Sequence, residues 1–375
     1  MKIAQIVASL ESRHGGPSRS VRGLAYGLSQ IGHKVGLLST VAGGDGLSLV
    51  KDDLDTRIFP REWPQSLCPS EPLRSHLLAG GYEVVHHHGL WLRTLHYARR
   101  AAAKASVPLI ISPRGMMSAW AWNHHRFKKS LAARFIHPDA FATAAGWHVT
   151  SDEEAHDIRR LGFTQPVCVA PNGVLPPSTE EETASAIHWH KACPPLAGRR
   201  VALFYSRLHA KKRVLELIDL WLSVPRGDWV LLLVGIPEEY AVHQLEAYVL
   251  RQGGAGRIFV HDGTDSPPPY AVASLFLLPS HSENFGLVVA ESLARGVPVL
   301  TTDTTPWGNL EMAGAGHCVP WDRYGQTMNE LLAETPEALS VKGQLGTVWV
   351  REEFSWGKTA RMLAAFYEKL RVAAR

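Results

Sequence analysis

Short apolar runs of strand length alternate with segments of helical apolar spacing along the whole chain, and this alternation restricts the fold more than any other feature. In the first half the expected strands are Ile3 to Ala8, Lys34 to Ser39, Glu83 to His87, Pro108 to Ser112, Gly146 to Thr150 and Val167 to Ala170. In the second half they are Arg200 to Tyr205, Trp229 to Val234, Arg257 to Val260, Leu275 to Leu278, Val297 to Thr301 and His317 to Val319. Runs such as Leu275 to Leu278 are apolar throughout, which marks strands buried on both faces in parallel sheets covered by helices. At 375 residues the chain exceeds one ordinary core, so the two sets of strands imply two doubly wound α/β domains. Residues 173–199 carry Pro176-Pro177, the acidic run Glu180 to Glu182 and Pro194-Pro195, and read as a linker between domains at 1–172 and 200–355. Ligands of such sheets bind outside the carboxyl ends of the strands, so a crevice between two facing sheets is the expected site.

Composition narrows the function classes. A hydrophobic share of 45% with 20% charged residues is globular and excludes disorder. The formal net charge of +4 fits an anionic substrate or a membrane surface and is too small to point to nucleic acid. Cys68, Cys168, Cys193 and Cys318 form no C-x-x-C pair and fit a reduced, cytoplasmic setting. Met1-Lys2 leads directly into an apolar strand, unlike a signal peptide, and no run approaches the roughly 20 apolar residues of a membrane span.

The stretch Leu277 to Leu300 reads as strand, loop, helix and strand. Asn284, Phe285, Gly286 and Leu287 lie where the loop meets the helix, so their backbone N–H groups face a phosphate or sugar hydroxyl at a positive helix end. Glu283 and Glu291 flank them at E-x7-E spacing. On their own, two such glutamates also describe a solvated helix face. Gly15 and Gly16 precede Ser18 and a helix over Val21 to Ile31, an amide-lined turn suited to a phosphate or a hydroxyl. Arg207 and Lys212 follow the first strand of the second half, where a fork and a point charge neutralise a pyrophosphate; a solvated basic turn has the same pattern. His86, His87 and His88 end a strand, and alternation sends His87 to the opposite face, so these three do not converge on one metal. Trp120, Trp122, Lys128, Lys129 and Arg134 within 116–135 fit either a peripheral membrane contact or a helix with core aromatics and solvated charges.

The string Glu283-Asn284-Phe285-Gly286-Leu287 with Glu291, followed by Ala294, Gly296, Val297 and Pro298, resembles the retaining glycosyltransferases of family 4. His148 to Ala155, Pro171-Asn172-Gly173-Val174 and Thr305-Pro306-Trp307 also match, the last in the manner of the exopolysaccharide branch, and the resemblance covers nearly the whole chain. It implies the α/β GT-B fold, two doubly wound Rossmann-like domains facing across a crevice, with a C-terminal helix at 356–375 crossing back to the first domain. Met362, Leu363 and Phe366 are the expected buried stripe of that helix.

By the same resemblance, Arg207 and Lys212 stabilise the departing diphosphate, Glu283 holds the donor sugar and Glu291 the ribose hydroxyls. Ser206 and Arg213 replace two glycines of the pattern. Gly15 and Gly16 lie against donor and acceptor, His88 belongs to an H-G-L-W string at the acceptor end, and Gly263 ends a strand beneath the nucleotide base. Arg114 replaces a histidine that many members place against the donor sugar. It is therefore either an electrostatic or positioning group, or a loop arginine paired with a nearby carboxylate.

The reaction implied is transfer from a UDP- or GDP-linked sugar to a glycan or lipid-linked glycan, with no cofactor beyond this co-substrate. Asp53-Leu54-Asp55, the sole D-x-D, lies outside the carboxyl-end loops, so metal independence is expected. The alternative is a phosphorylase, hydrolase or epimerase on the same fold. A dinucleotide oxidoreductase is disfavoured because no G-x-G-x-x-G follows the first strand.

Overall fold

The computed structural model describes residues 1–11, 16–43, 54–123, 126–223 and 227–373. Gly15, Asp53, His124 and His125 lie outside the described residues. The chain divides into two compact units, Met1–Gly173 with Ser355–Arg375, and Val174–Phe354.

The first unit holds β1 (Lys2–Val7), β2 (Lys34–Val41), β3 (Asp55–Pro60), β4 (Val84–His88), β5 (Leu109–Ser112), β6 (Gly146–Val149) and β7 (Val167–Val169). They form one parallel sheet in the order β3-β2-β1-β4-β5-β6-β7. Side-chain alternation divides each central strand between two layers. Ala4 and Ile6 pack with Leu73, Leu77, Leu95 and Ala98, whereas Ile3 and Val7 pack with Val21, Leu24, Leu28 and Leu363. Sequence reading did not anticipate β3, because Asp55–Pro60 is an edge strand of exposed and half-buried residues and lacks an apolar run. Asp55 spends its charge there on an exposed pair with Arg57.

The terminal helix, Trp356–Ala373, packs on the Gly16–Gln30 helix. A Cβ on Gly23 would meet the Trp356 ring at 2.2 Å, and one on Gly27 would meet the Trp356 carbonyl at 2.7 Å, so these glycines form the groove that admits Trp356. Trp356, Ala360, Leu363, Tyr367 and Leu370 form the buried line. That corrects the expected stripe: Leu363 belongs to it and Phe366 packs at its edge against Gly146, but Met362 is 37% exposed because the line follows the phase set by Trp356. The Gly16–Gln30 helix starts two residues before Ser18, which therefore lies inside the first turn and not at the expected cap.

The second unit holds β8 (Arg200–Leu208), β9 (Trp229–Pro237), β10 (Ile258–Asp262), β11 (Leu275–Leu278), β12 (Val299–Thr302) and β13 (Gly316–Val319). Their parallel order is β10-β9-β8-β11-β12-β13. Residues 174–199, read as linker, belong to this unit. Ser178 and Glu181 form a capping box that starts the Thr179–Ala192 helix, so the acidic run is a helical first turn. Ser185 Oγ and Trp189 Nε1 of that helix donate to the carbonyls of Pro268 and Pro267 at 2.7 and 2.9 Å. The run Pro267-Pro268-Pro269 is thereby clamped to the unit. Among the described residues no helix is long and apolar enough to cross a membrane.

Candidate active site

In the second sheet the strand order reverses between β8 and β11, and the loops leaving their carboxyl ends flank the point of reversal. The β8 loop makes a single 3-10 turn at Ala210–Lys212 and leaves it through Arg213 at φ 52. This left-handed position favours glycine, and arginine occupies it at a cost of about 1–2 kcal/mol. The Arg213 guanidinium lies 4.4 Å from the Trp321 ring centroid, a contact that offsets part of that cost. The glycine replacement therefore leaves the turn intact.

The β11 loop carries Glu283. Its carboxylate pairs with the buried Lys212 ammonium and accepts from Ser280 Oγ at 2.6 Å. His281 N donates to the Lys211 carbonyl at 2.8 Å, joining the two loops directly. Thr302 Oγ1 and Thr304 Oγ1, leaving β12, donate to the Ser280 carbonyl at 2.5 and 2.8 Å and fix the loop from behind. Burial alone would raise the Glu283 pKa, but the Lys212 charge and hydrogen bond, with help from Ser280 and Lys211, hold it below the usual carboxylate value. Burial pushes the Lys211 ammonium down; Glu283 pulls it up, while Lys212 and Arg207 push it down further. Lys211 and Lys212 thus act on one carboxylate, with Arg207 near enough to act on Lys211, a local concentration of positive charge suited to an anion.

Arg207 leaves β8 exposed, and its Nη1 donates to both carboxylate oxygens of Glu238, each at 2.8 Å. Sequence reading missed Glu238, which stands just beyond β9 and comes beside Arg207 only through the β8–β9 register.

Glu283 is followed by Asn284 and the buried Phe285, then by Gly286 at φ 74 as the cap of the Leu287–Ala294 helix. Trp307 Nε1 donates to the Phe285 carbonyl at 2.6 Å, and Phe285, Trp307, Phe354 and Trp349 pack ring against ring. A Cβ on Gly286 would lie 3.3 Å from Trp307 Nε1, tight even apart from the positive φ. The tryptophan of Thr305-Pro306-Trp307 is therefore the buttress that sets the amides of Asn284 to Leu287, a role that its sequence position did not reveal.

Glu291 is buried, and its Oε2 accepts from the Tyr270 hydroxyl at 3.0 Å. Tyr270 stands edge-on to Tyr205, whose ring would be 3.4 Å from a Cβ on Gly263. Gly263, Tyr205, Tyr270 and Glu291 thus form one continuous surface within this unit. Pro267, Pro268 and Pro269 bring Tyr270 into this group, since the turn Pro269–Val272 carries that ring.

In the first sheet the order reverses between β1 and β4. Gly16 opens the first helix after β1 and is exposed with open space at its Cα. Arg114 follows β5 at φ 54; it donates from Nη1 to Asn172 Oδ1 at 2.8 Å and from Nη2 to His88 Nδ1 at 3.0 Å. Burial pushes its pKa down to about 10, and the Glu154 carboxylate works against that fall, so the side chain stays a cation at neutral pH. Glu154 itself accepts from Gly115 N and Thr150 N at 2.6 and 3.0 Å. Arg114 is therefore a positioned cation, hydrogen-bonded to neutral groups.

His87 does face away, to the Gly89 carbonyl and Thr94. His86 and His88 are joined instead by His148 from β6, with ring nitrogens within 4.8 Å of one another. Sequence reading did not foresee this group, because β6 reaches β4 only across β5. All six ring nitrogens have protein hydrogen-bond partners and Arg114 lies against His88, so these residues do not fit a metal site.

In the 116–135 segment, Trp122 packs on Trp91 at 5.5 Å, and the Lys129 ammonium lies 5.7 Å from the Trp91 ring. Phe127, Leu131 and Phe135 are 76%, 43% and 62% exposed at helical spacing. The core reading holds for Trp122, whereas an outward apolar stripe is carried by residues that the sequence reading had not named.

Comparison with known proteins agrees with this geometry. The family model described as glycosyl transferase 4-like domain matches residues 15–173, and that described as glycosyl transferases group 1 matches 188–332. The chain is 27% identical over 372 residues to a D-inositol 3-phosphate glycosyltransferase of Jonesia denitrificans, covering 90% of this chain and 82% of the relative. It is 30% identical over 154 residues to the lipopolysaccharide core biosynthesis mannosyltransferase LpsB of Rhizobium meliloti, covering 39% of this chain and 44% of the relative. Sucrose-phosphate synthase of Thermosynechococcus elongatus has a similar fold, with a TM-score of 0.75 and 18% identity over 100% of both chains. Anabaena HepE, solved with UDP and glucose, also gives a TM-score of 0.75, with 17% identity over 98% of this chain and 100% of that one. One family model covers most of the first unit and the other most of the second, and together they show that the chain belongs to the glycosyltransferases, with a fold of the GT-B type.

Proposed function

We propose that the protein moves a sugar, with retention of anomeric configuration, from a UDP- or GDP-linked donor to a hydroxyl of a glycan or lipid-linked glycan in surface polysaccharide synthesis. The observation that carries this reading is the placing of Lys212 and Lys211 at Glu283, with Arg207 acting on Lys211, at the β8/β11 reversal. Departure of a nucleoside diphosphate concentrates negative charge on the bridging phosphate. Fixed cations and helix-end amides bind that charge more strongly in the transition state than in the ground state.

We assign the leaving diphosphate to Arg207, Lys212 and the amides of Asn284, Phe285, Gly286 and Leu287, with Lys211 as a further contributor. Glu283 accepts hydrogen bonds from the donor sugar's hydroxyls, and Lys212 keeps it ionised for that purpose. Glu291, its second oxygen bridled by Tyr270, takes the ribose hydroxyls, and Gly263 lies beneath the base. In the first unit, Gly15, Gly16 and Arg114 are assigned to sugar recognition.

A covalent route needs a carboxylate placed as nucleophile beneath the anomeric carbon. Glu283, the carboxylate assigned to the donor sugar, is already engaged by Lys212 and Ser280. We therefore assign retention to same-face attack, with the departing phosphate taking the acceptor's proton. The scheme uses no metal ion and no cofactor beyond the sugar nucleotide.

HepE was solved with UDP and the relatives' names include a mannosyltransferase, which favours UDP-glucose and GDP-mannose as first donors to test. The exposed stripe Phe127, Leu131 and Phe135 beside Lys128 and Arg134 supports peripheral contact with an anionic membrane, as a lipid-linked acceptor at the cytoplasmic face would require.

The test is thermal unfolding with UDP-, GDP- and ADP-sugars. A true donor at 100 times its Kd stabilises by about 2.7 kcal/mol, and no stabilisation by any of them removes the reading. Product analysis with and without a glycan acceptor then separates transfer from hydrolysis. Glu283→Ala should lower transfer by about 10²–10³-fold; full activity in that variant would remove the site assignment.

A further inference from the structure

At the carboxyl ends of β1, β4, β5 and β6, seven side chains of the first unit are joined by hydrogen bonds. From Arg114 the chain passes through His88, Gln5, Tyr367, His86, Ser112 and His148, and it ends on the carbonyl of Ala170. Arg114 is half-buried, and the six side chains beyond it are buried. The chemistry of the two ends sets the direction of each bond.

The Ala170 carbonyl only accepts, so His148 carries its proton on Nε2 and presents a bare Nδ1 when neutral. Ser112 Oγ, 2.7 Å away, must donate to that Nδ1. Having one hydrogen, it must then accept from His86 Nε2 at 2.7 Å. His86 Nδ1 is left bare and takes the Tyr367 hydroxyl proton at 2.6 Å. With its only proton committed, the Tyr367 oxygen accepts from Gln5 Nε2 at 3.2 Å.

The other end gives the same answer independently. A guanidinium only donates, so His88 Nδ1 is bare beside Arg114 and its Nε2 carries the proton given to Gln5 Oε1 at 2.6 Å. The two deductions meet at Gln5, whose amide has its oxygen toward His88 and its nitrogen toward Tyr367, as both require. With all three imidazoles neutral, every proton in the chain has one place and every bond has one donor.

We infer that this proton-ordered chain positions the Arg114 guanidinium, and that Tyr367, on the terminal helix, is the positioning residue that carries the order set at the Ala170 carbonyl to Gln5 and so reinforces the polarity at His88. Without the tyrosine hydroxyl, the Gln5 amide keeps its orientation from one end only, through the proton on His88 Nε2. A turned amide would offer N–H to His88 Nε2, move the imidazole proton to Nδ1 and set it against Arg114. A residue remote from Arg114 in sequence thus supplies the second determinant that keeps His88 Nδ1 bare toward it. The functional part of the inference rests on the assignment of Arg114 to sugar recognition; the proton order does not.

The experiment has two arms. In the first, ¹⁵N spectra of the imidazoles at neutral pH should show His86, His88 and His148 with the proton on Nε2 and Nδ1 bare. The Arg114 Nη signals should be resolved by its two fixed partners. An Nδ1–H tautomer or an imidazolium at any of the three overturns the proton order in the unaltered protein. In Tyr367→Phe the His88 signals should become those of a tautomer mixture and the Arg114 Nη signals should coalesce.

The second arm is turnover of whichever of UDP-glucose and GDP-mannose stabilises the protein. Tyr367→Phe should lower kcat about 10-fold with KM within about twofold, and should have no further effect in an Arg114→Met background. A full additional loss in that background overturns the positioning role. If the spectra are as expected but neither substitution alters turnover, the proton order stands and the assignment of Arg114 to the donor is what fails.

Discussion

Where β8 and β11 part in the second unit, the loops hold ions in pairs: Lys212 against Glu283, both nearly buried, and Arg207 against Glu238 at the surface. Where β1 and β4 part in the first unit, the same kind of strand end holds neutral groups, imidazoles, an amide and hydroxyls, around the single cation of Arg114. The difference lies in what a ligand meets. The diphosphate proposed to bind there would have to compete with carboxylates for the cations of the second unit. Arg114 spends its hydrogen bonds on groups without charge, so its orientation is fixed while its charge stays available.

Acid is the strongest way to separate the two. Burial pushes His87 and His148 down to about 3, His137 to about 4, and His86 and His88 well down. Since the folded pKa values lie below the unfolded value near 6.5, the unfolded chain takes up protons first. Stability is full above about pH 6.5 and falls as the pH drops below it, by roughly 1.4 kcal/mol per pH unit for each such imidazole. Glu283 behaves otherwise: its folded pKa is lowered from 4.5, so the stability that it contributes is lost only as the pH falls below that value. Between pH 6.5 and 4.5 the first unit should therefore loosen while the Lys212–Glu283 pair holds. Hydrogen exchange at pH 7 and 5.5, corrected for intrinsic rates, should show protection lost first in β4, β5 and β6. Equal loss in β8 and β11 would erase the contrast.

The next largest effect comes from breaking the buried pair. Lys212→Met leaves the Glu283 carboxylate buried without its counter-charge and should destabilise by about 3–5 kcal/mol in urea unfolding. Adding Glu283→Gln removes the stranded charge and should restore most of that stability, with transfer still lost. If the double variant is no more stable than the single one, the pair is not the unit of stability proposed.

These contrasts were unevenly legible in the sequence. Leu275 to Leu278 is the strand that its apolar run predicts, and Glu283, Gly286 and Lys212 stand at strand ends and helix starts that local spacing locates. The partners that give those residues their character come from elsewhere: Glu238 from the end of β9, Tyr270 from a proline turn, Trp307 from the loop after β12, Tyr367 from the terminal helix. Sequence spacing carries information over a helical turn or a strand, whereas strand order in a parallel sheet is set by crossovers that local pattern does not encode. His148 shows this most plainly, since it completes the histidine group from a strand two places away in the sheet. The supposed linker failed for a different reason. Its prolines and acids are turn signals, but Ser178 with Glu181 is also a capping box, and the buried Trp189 decides in favour of a helix.

The smallest effect is also the most direct reading of competition at the second unit. Arg207 and Glu238 are 46% and 41% exposed, so their pair contributes at most about 1 kcal/mol to stability and less in salt. Glu238→Gln should leave unfolding nearly unchanged. Its effect should appear in binding, because the glutamate occupies the nitrogen that the diphosphate is proposed to take. UDP should bind a few-fold more tightly to Glu238→Gln and about tenfold more weakly to Arg207→Ala, by titration calorimetry at low ionic strength, and the gap should narrow at high salt. Opposite signs in two variants of one ion pair are what competition requires. If both weaken UDP equally, Glu238 is holding Arg207 in its binding position, and the second unit is preorganised in the same sense as the first.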